Sequence, residues 1–173
     1  MMTRETVWGG IEAGGTKFVC AAGRGPDDIV AQTRFPTTEP AETLEKAALF
    51  FRSVQQKYDL QALGIASFGP VDLHKNSGTY GYITSTPKPG WINTEVVGVF
   101  EREFGLPVGF DTDVNGAALG EHRWGAGQGV STLIYLTVGT GIGGGVLTEG
   151  KLLHGMIHPE TGHIMLPHDR SED

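Results

Sequence analysis

Glycine in this chain is concentrated at the ends of apolar segments. It accounts for 27 of 173 residues, about 16% against a usual level near 7%. The two main clusters are GIEAGGTK at 10–17 and VGTGIGGG at 138–145, and each follows an apolar run. Because glycine lets a backbone turn tightly or approach a ligand closely, the clusters indicate an α/β enzyme whose loops bind an anion.

The composition narrows the function classes open to the chain. Lys and Arg total 13 against 20 Asp and Glu, a net charge of −7, whereas nucleic-acid-binding domains are usually basic. Hydrophobic residues make up 39% of the chain, enough for a packed core, and no apolar run reaches the roughly 20 residues of a membrane-spanning helix. Cys20 is the one cysteine, and the first ten residues hold no apolar segment of leader length. We therefore expect a cytoplasmic protein without nucleic-acid or membrane partners.

The hydrophobic pattern predicts an α/β fold with a mixed sheet. An antiparallel meander is expected first, and an amphipathic helix at 40–58 follows it. The segment 68–92 has no clear periodicity, and its prolines and Trp91 are typical of a stiff binding loop. The predicted strands are 7–13, 16–22, 29–34, 62–67, 107–111, 131–138, 145–150 and a short one at 163–166; the other predicted helices are 93–104 and 113–125.

The first glycine cluster has the composition of an anion-binding turn. Gly14 and Gly15 allow several backbone N–H groups to converge on one oxyanion. Thr16 and Lys17 add a hydroxyl donor and a positive charge. A plain hairpin turn explains the same residues, and the sequence leaves both interpretations open.

The second cluster contains a G-x-G-x-x-G spacing at Gly139, Gly141 and Gly144. A dinucleotide-binding fingerprint needs a helix after it, but the following GVLTEG has the pattern of a strand. We therefore expect a hairpin whose tip can surround phosphates, with hydroxyls from Thr137 and Thr140. A hairpin without a ligand is the alternative for this cluster taken alone.

Two carboxylates, Asp111 and Asp113, stand where a predicted strand ends and a helix begins. A helix N-terminus stabilises negative charge, so either residue could simply cap the helix. In the functional interpretation, Asp113 accepts a proton from a substrate hydroxyl, which phosphoryl transfer to an alcohol requires.

These motifs together resemble the ROK family of bacterial sugar kinases, and in particular its fructokinase-like branch. GIEAGGTKF, TPKPGW, DVNGAALGE, LTVGTGIGGG and HPETGH stand in the family's order, from about Trp8 to Leu166. The resemblance implies the actin-like ATPase fold, in which two ribonuclease-H-like domains enclose an ATP and sugar cleft. It predicts one such domain over 1–112 and the beginning of a second over 113–173.

The resemblance also implies roles for individual residues, with ATP and Mg²⁺ bound beside the sugar. Asp113 falls at the position of the catalytic base. The residues implied in holding the nucleotide phosphates are Glu12, Gly14, Gly15, Thr16, Lys17, Thr137, Gly139, Thr140 and Gly141. The residues implied in sugar binding are Gly90, Trp91, Asn93, Asn115, Glu160 and His163, and His163 is also implied as a ligand of a structural Zn²⁺.

The chain departs from the family pattern in two residues and in length. Glu12 stands where most of the superfamily has the shorter Asp, and Thr112 stands where relatives often have Asn. Family members are much longer, so we expect this chain to match their N-terminal part, without the adenine-binding residues or the remaining zinc ligands. The other histidines nearby, His154, His158 and His168, are expected to be exposed to solvent rather than bound to zinc.

The function implied by the resemblance is ATP-dependent phosphorylation of a hexose. The TPKPGW segment favours fructose, with fructose 6-phosphate as the product. The alternatives are a kinase of glucose, mannose or an N-acetylhexosamine, and an inactive half that binds sugar. A sugar-sensing repressor is disfavoured by the negative charge and by a phosphate motif that starts near residue 10. Family relatives are commonly dimers, so a homodimer is also expected.

Overall fold

The computed structural model describes residues 4–139, 141–155 and 161–165, and for His163 it describes the backbone alone. The strands are β1 Thr6–Ala13, β2 Lys17–Gly25, β3 Asp28–Pro36, β4 Asp59–Ser67, β5 Tyr82–Ile83, β6 Thr94–Glu95, β7 Val108–Thr112, β8 Thr132–Val138, β9 Ile142–Thr148 and β10 Lys151–Leu152. The helices are α1 Pro40–Lys57, α2 Val97–Phe104 and α3 Asp113–Trp124, and a 3₁₀ turn covers Thr161–His163.

The first sheet is mixed, as the sequence predicts. Its strand order is β3-β2-β1-β4-β7. Strands β1, β2 and β3 form the antiparallel meander, while β4 and β7 run parallel to β1. The carboxyl ends of β1, β4 and β7 therefore meet at one edge of the sheet, where ligands of open α/β sheets usually bind.

The hydrophobic core lies on one face of this sheet, under α1 and α2. Alternate residues of β1, including Val7 and Ile11, face the core and are buried. On α1 the apolar residues recur at helical spacing, so that Phe51 and Val54 meet the same core. The opposite face of the sheet carries the other half of each strand, and this face is where the structure leaves a cavity.

Helix α3 connects the first sheet to a second one. It contacts β4 and β7 on one side and β8 and β9 on the other. The second sheet is an antiparallel hairpin of β8 and β9, extended by β10. Close approach of α3 explains part of the glycine content, because a Cβ on Gly116 would lie 2.5 Å from the Cβ of Ala66.

The structure differs from the predicted elements in several places. The strand expected at 145–150 is β9 Ile142–Thr148, and β10 was not expected. The predicted helix at 93–104 begins only at Val97, since residues 94–95 pair with β5. The segment 68–92, which has no periodicity in its sequence, contains strand β5 and an isolated bridge between Val71 and Ile83. The predicted strand at 163–166 is wrong for residues 163–165, which end the 3₁₀ turn and continue without regular structure. None of the helices in the described ranges is long and apolar enough to cross a membrane.

Candidate active site

A cavity of about 820 Å³ lies between the open face of the first sheet, helix α3 and strand β8. Its wall includes Glu12 from β1, Asp111 from β7, Asp113 from α3 and Thr137 from β8. It therefore joins the strand that leads into the first glycine cluster, the predicted base, and the strand that leads into the second cluster.

The carboxylates on the sheet lie in one row across three strands. Glu12 of β1 pairs with Ala66 of β4, and Ala66 pairs with Asp111 of β7. Neighbouring strands are about 4.8 Å apart, so two strand spacings separate the backbones of Glu12 and Asp111. Ala66 lies between them, directly under Gly116 of α3, so the helix crosses the row at its centre.

The next row of the cavity floor consists of glycine. Gly10, Gly64 and Gly109 are paired neighbours on β1, β4 and β7. A Cβ on Gly10 would meet nothing within 4 Å, and a Cβ on Gly64 or Gly109 would have its nearest neighbour at 4.0 or 3.9 Å. Packing within the described residues therefore does not require these glycines. Glycine in a strand interior costs stability, and a bound molecule that needs this space would explain all three.

The first glycine cluster forms the turn between β1 and β2. The Gly14 N–H donates to the Lys17 carbonyl at 3.0 Å, and the Thr37 hydroxyl donates to the Gly14 carbonyl at 2.6 Å. The hairpin interpretation is therefore correct for its backbone. Thr16 and Lys17 are exposed at the turn and remain the groups with which it could contact an anion.

The second cluster divides between the tip and the body of the β8–β9 hairpin. At the tip, the Gly139 N–H donates to the Gly141 carbonyl at 2.9 Å, and a Cβ on either residue would meet nothing within 4 Å. In the body, a Cβ on Gly145 would collide with the Val114 backbone of α3, and a Cβ on Gly144 would collide with Thr161. The two tip glycines therefore have open space beside them, while these body glycines serve packing.

Thr112, and neither aspartate, is the N-cap of α3. The Thr112 hydroxyl accepts the Asn115 N–H at 3.2 Å. Asp113 is the first helical residue, where it accepts the Val114 N–H at 2.9 Å and lines the cavity. The alternative in which an aspartate serves only as the cap therefore does not describe this helix.

Asp111 is the centre of a polar network that the sequence did not predict. One carboxylate oxygen accepts the Thr112 N–H at 2.8 Å and the Asn115 side-chain amide at 2.7 Å. The other oxygen lies 2.7 Å from Nε2 of His154. Asn115 is 1% exposed, and its Oδ1 has no partner among the described residues. A structural role is thus clear for Asp111, and a buried acceptor lies beside it.

The segment expected to touch sugar contributes core residues as well. Trp91 is fully buried, its Nε1–H donates to the Thr38 carbonyl at 2.8 Å, and its ring packs against Phe18 and Phe68. This corrects the prediction of an aromatic-tipped loop, because Trp91 cannot reach a ligand without leaving the core. Gly90 and Asn93 both have positive φ, and within the described ranges neither belongs to the cavity wall.

Tyr80, in the same segment, is partly buried. Burial raises the pKa of the Tyr80 phenol, and the nearby carboxylates Glu101 and Asp111 raise it further. Tyr80 therefore stays a neutral hydroxyl at physiological pH.

Some predicted residues lie outside the described part of the chain. They are Thr140, Glu160 and the side chain of His163, together with His158 and His168. Among the described residues no three His, Cys, Asp or Glu side chains are grouped so that they could hold a metal. The described residues therefore do not fit a zinc site. Mg²⁺ usually takes only one or two carboxylates plus phosphate oxygens, and Glu12 on the open cavity floor fits that requirement.

The comparisons with known proteins agree with this architecture. The model of the ROK family matches residues 8–172. The chain is 51% identical to a fructokinase of Zymomonas mobilis, covering 98% of this chain and 58% of that protein, and 50% identical to a fructokinase of Streptococcus mutans, covering 94% and 54%. It thus spans somewhat more than half the length of these relatives.

A solved structure shares the fold. A ROK family glucokinase from Streptomyces griseus, in complex with glucose and AMPPNP, superposes with a TM-score of 0.78 at 29% identity, over 93% of this chain and 51% of that one. The predicted actin-like ATPase architecture is thereby confirmed, together with the mixed sheet.

Proposed function

The chain belongs to the ROK family, and we propose that it takes part in the ATP-dependent phosphorylation of fructose to fructose 6-phosphate. The observation that carries this proposal is the position of Asp113. It stands at the first residue of α3 and shares a cavity with Glu12 and Thr137, which belong to the strands leading into the two glycine clusters. A base beside two phosphate-binding turns is what transfer of a phosphoryl group to an alcohol requires.

The reaction needs one proton acceptor at the attacking oxygen. Asp113 would accept the proton of the fructose 6-hydroxyl while that oxygen forms a bond to the γ-phosphorus of ATP. The bond from the γ-phosphorus to the β–γ bridging oxygen breaks, and ADP leaves with the electron pair. The fixed start of α3, held by the Thr112 cap, would keep the carboxylate in place for this transfer.

The phosphate groups of ATP need positive charge and donors near the two turns. Lys17 and Thr16 are exposed at the first turn and Thr137 lines the cavity below the second, so they could supply a charge and two hydroxyls. Mg²⁺, when bound, would supply charge neutralisation for the phosphates. Glu12 would orient it from the cavity floor. No step is assigned to zinc.

The choice of fructose rests on the difference between the relatives. The two fructokinases are 50–51% identical to this chain, while the glucokinase of known structure is 29% identical. The TPKPGW segment, which resembles the fructokinase-like branch, supports the same choice. Glucose, mannose and N-acetylhexosamines are the competing substrates.

The division into two domains is also a proposal. The first sheet ends with β7 at Thr112 and the second begins with β8 at Thr132, with α3 between them. These positions support a domain over 1–112 and the beginning of another over 113–173. The homodimer and the cytoplasmic location stay predictions, and sedimentation of the purified protein would test the former.

An assay of ADP release in the presence of fructose tests the function. We expect turnover with fructose to exceed turnover with glucose, mannose or N-acetylglucosamine. Asp113→Asn should lower turnover by roughly 10²–10⁴-fold, with fructose binding retained in calorimetry. Asp27→Asn, on an exposed turn outside the cavity wall, is the matched control and should behave like the unmodified protein.

Three outcomes would contradict this account. Turnover of Asp113→Asn near that of the unmodified protein would remove Asp113 from the role of base. A preference for another hexose would reassign the substrate. Fructose binding without any turnover would favour the inactive sugar-binding half.

A further inference from the structure

Asp111 holds together parts of the chain that are distant in sequence. It is the penultimate residue of β7 and accepts from Thr112 and from Asn115 in the first turn of α3. It also contacts His154, which is 43 residues away. Its side chain is 19% exposed, and that of His154 is 41% exposed. Because a carboxylate only accepts hydrogen bonds, Nε2 of His154 must carry the proton in this contact.

The segment that carries His154 is held by contacts of two neighbouring residues, Leu153 and His154. The Leu153 N–H donates to the Val146 carbonyl of β9 at 2.8 Å, and His154 then contacts Asp111 at the edge of the first sheet. The contact therefore joins the second sheet to the start of α3. The Thr161–His163 turn, where the described chain resumes, packs on β9.

Asp111 also fixes which way the Asn115 amide faces. The Asn115 NH₂ group donates to the Asp111 carboxylate, so its Oδ1 is turned away and stays buried without a partner among the described residues. An unpaired buried acceptor is costly. Asn115 does not line the cavity itself, whereas its neighbours Val114 and Gly116 do, so its orientation bears on the cavity wall at the start of α3. The orientation of this acceptor depends on Asp111.

We propose that Asp111 and His154 act as a positioning pair that sets the sugar side of the site. The pair fixes the segment after β10 against the first turn of α3, and it aims the Asn115 carbonyl oxygen away from Asp111. This inference rests on the proposed function. The contact between Asp111 and His154 differs from a surface ion pair, which contributes little. Asp111 is mostly buried and accepts hydrogen bonds from two further donors.

The pair itself is tested without any activity. In long-range ¹H–¹⁵N spectra of the protein, the His154 ring should show the proton on Nε2, and Asp111→Asn should change the His154 ring signals. His122 is the matched control, because its Nε2 meets the Val130 carbonyl elsewhere and its signals should not move. Unchanged His154 signals in Asp111→Asn would overturn the proposal.

The role of the pair is tested by steady-state kinetics with fructose. Asp111→Asn and His154→Gln should each raise the fructose KM by roughly tenfold or more, with a smaller change in kcat. The double variant should be no worse than the worse single variant, since both changes break one contact. His122→Gln should leave both constants unchanged. The proposal would be overturned by a double variant whose increase in KM is the product of the two single increases, or by single variants whose loss is confined to kcat.

Failure of the proposed function would give a different result. If the unmodified protein neither binds nor phosphorylates fructose, the sugar-side role falls with the proposed function, even where the ring signals show the contact. If the unmodified protein turns over fructose while the variants keep its KM, the proposed function stands and the positioning role is refuted. Thermal unfolding of each variant identifies a loss caused by misfolding, and His154→Asn then serves as a second, smaller change.

Discussion

At the scale of single residues, glycines in apolar strands have different structural roles. Gly64 lies on the cavity floor with open space where a Cβ would be, whereas Gly145 lies against the backbone of α3. Sequence reasoning placed phosphate binding at the tip of the second cluster, including Gly139 and Gly141, and left a hairpin without a ligand as the alternative. It could not predict that Gly145 in the body packs on α3, because this contact depends on the tertiary fold.

The cavity floor supports a prediction about Gly64. Gly64→Ala should leave the free energy of unfolding within about 1 kcal/mol of the unmodified protein, since alanine is no worse than glycine in a strand. The added methyl group should occupy ligand space and raise the KM for fructose or ATP. The control is Gly25→Ala, where a Cβ also meets nothing within 4 Å but lies outside the cavity wall. Unchanged KM values for both substrates in Gly64→Ala would show that no ligand uses the floor.

Residue positions were predictable where the interactions are local. The sequence identified Asp113 as a candidate base, and the structure places it in the cavity while Thr112 provides the cap. Trp91 was assigned to a binding loop because prolines surround it, yet the fold buries it. His154 is exposed, as expected, but its contact with Asp111 was not predicted, because it joins residues too far apart in sequence for any spacing to reveal.

At the scale of elements, the strongly periodic segments were the most predictable. The amphipathic helix expected at 40–58 spans Pro40–Lys57, and the strand expected at 62–67 is the latter part of β4. The start of α2 was misplaced because residues 94–95 pair with β5 instead of entering the helix. Two-residue strands of this kind are created by tertiary contacts and leave no periodicity in the sequence.

The contact between α3 and β9 gives a prediction at this scale. Gly145→Ala should lower the free energy of unfolding by about 1–3 kcal/mol, because its methyl group would collide with the Val114 backbone and a packed core resists added volume. Urea denaturation measures the change, with Gly64→Ala as the comparison in the same fold. A Gly145→Ala variant as stable as Gly64→Ala would show that α3 does not pack on the hairpin in this way.

At the scale of the whole molecule, the two sheets meet across α3. The proposed function depends on this arrangement. The mixed sheet and the order of its elements followed from the hydrophobic pattern. The sequence could not predict a common cavity for Glu12, Asp113 and Thr137, because it arises from the side-by-side packing of β1, β4 and β7 under α3. Resemblance to the ROK family suggested the residues, and the fold supplies their proximity.

The most direct test of a shared ligand cavity is a map of amide signals in a ¹⁵N-labelled sample. Addition of fructose together with a non-hydrolysable ATP analogue should shift the amide signals of Glu12, Ala66, Asp113 and Thr137. Signals from the core side of α1, such as those of Phe51 and Val54, should stay in place. Shifts confined to residues outside the cavity wall, or no shifts at saturating ligand, would contradict the claim that Asp113 and the two glycine turns serve one substrate site.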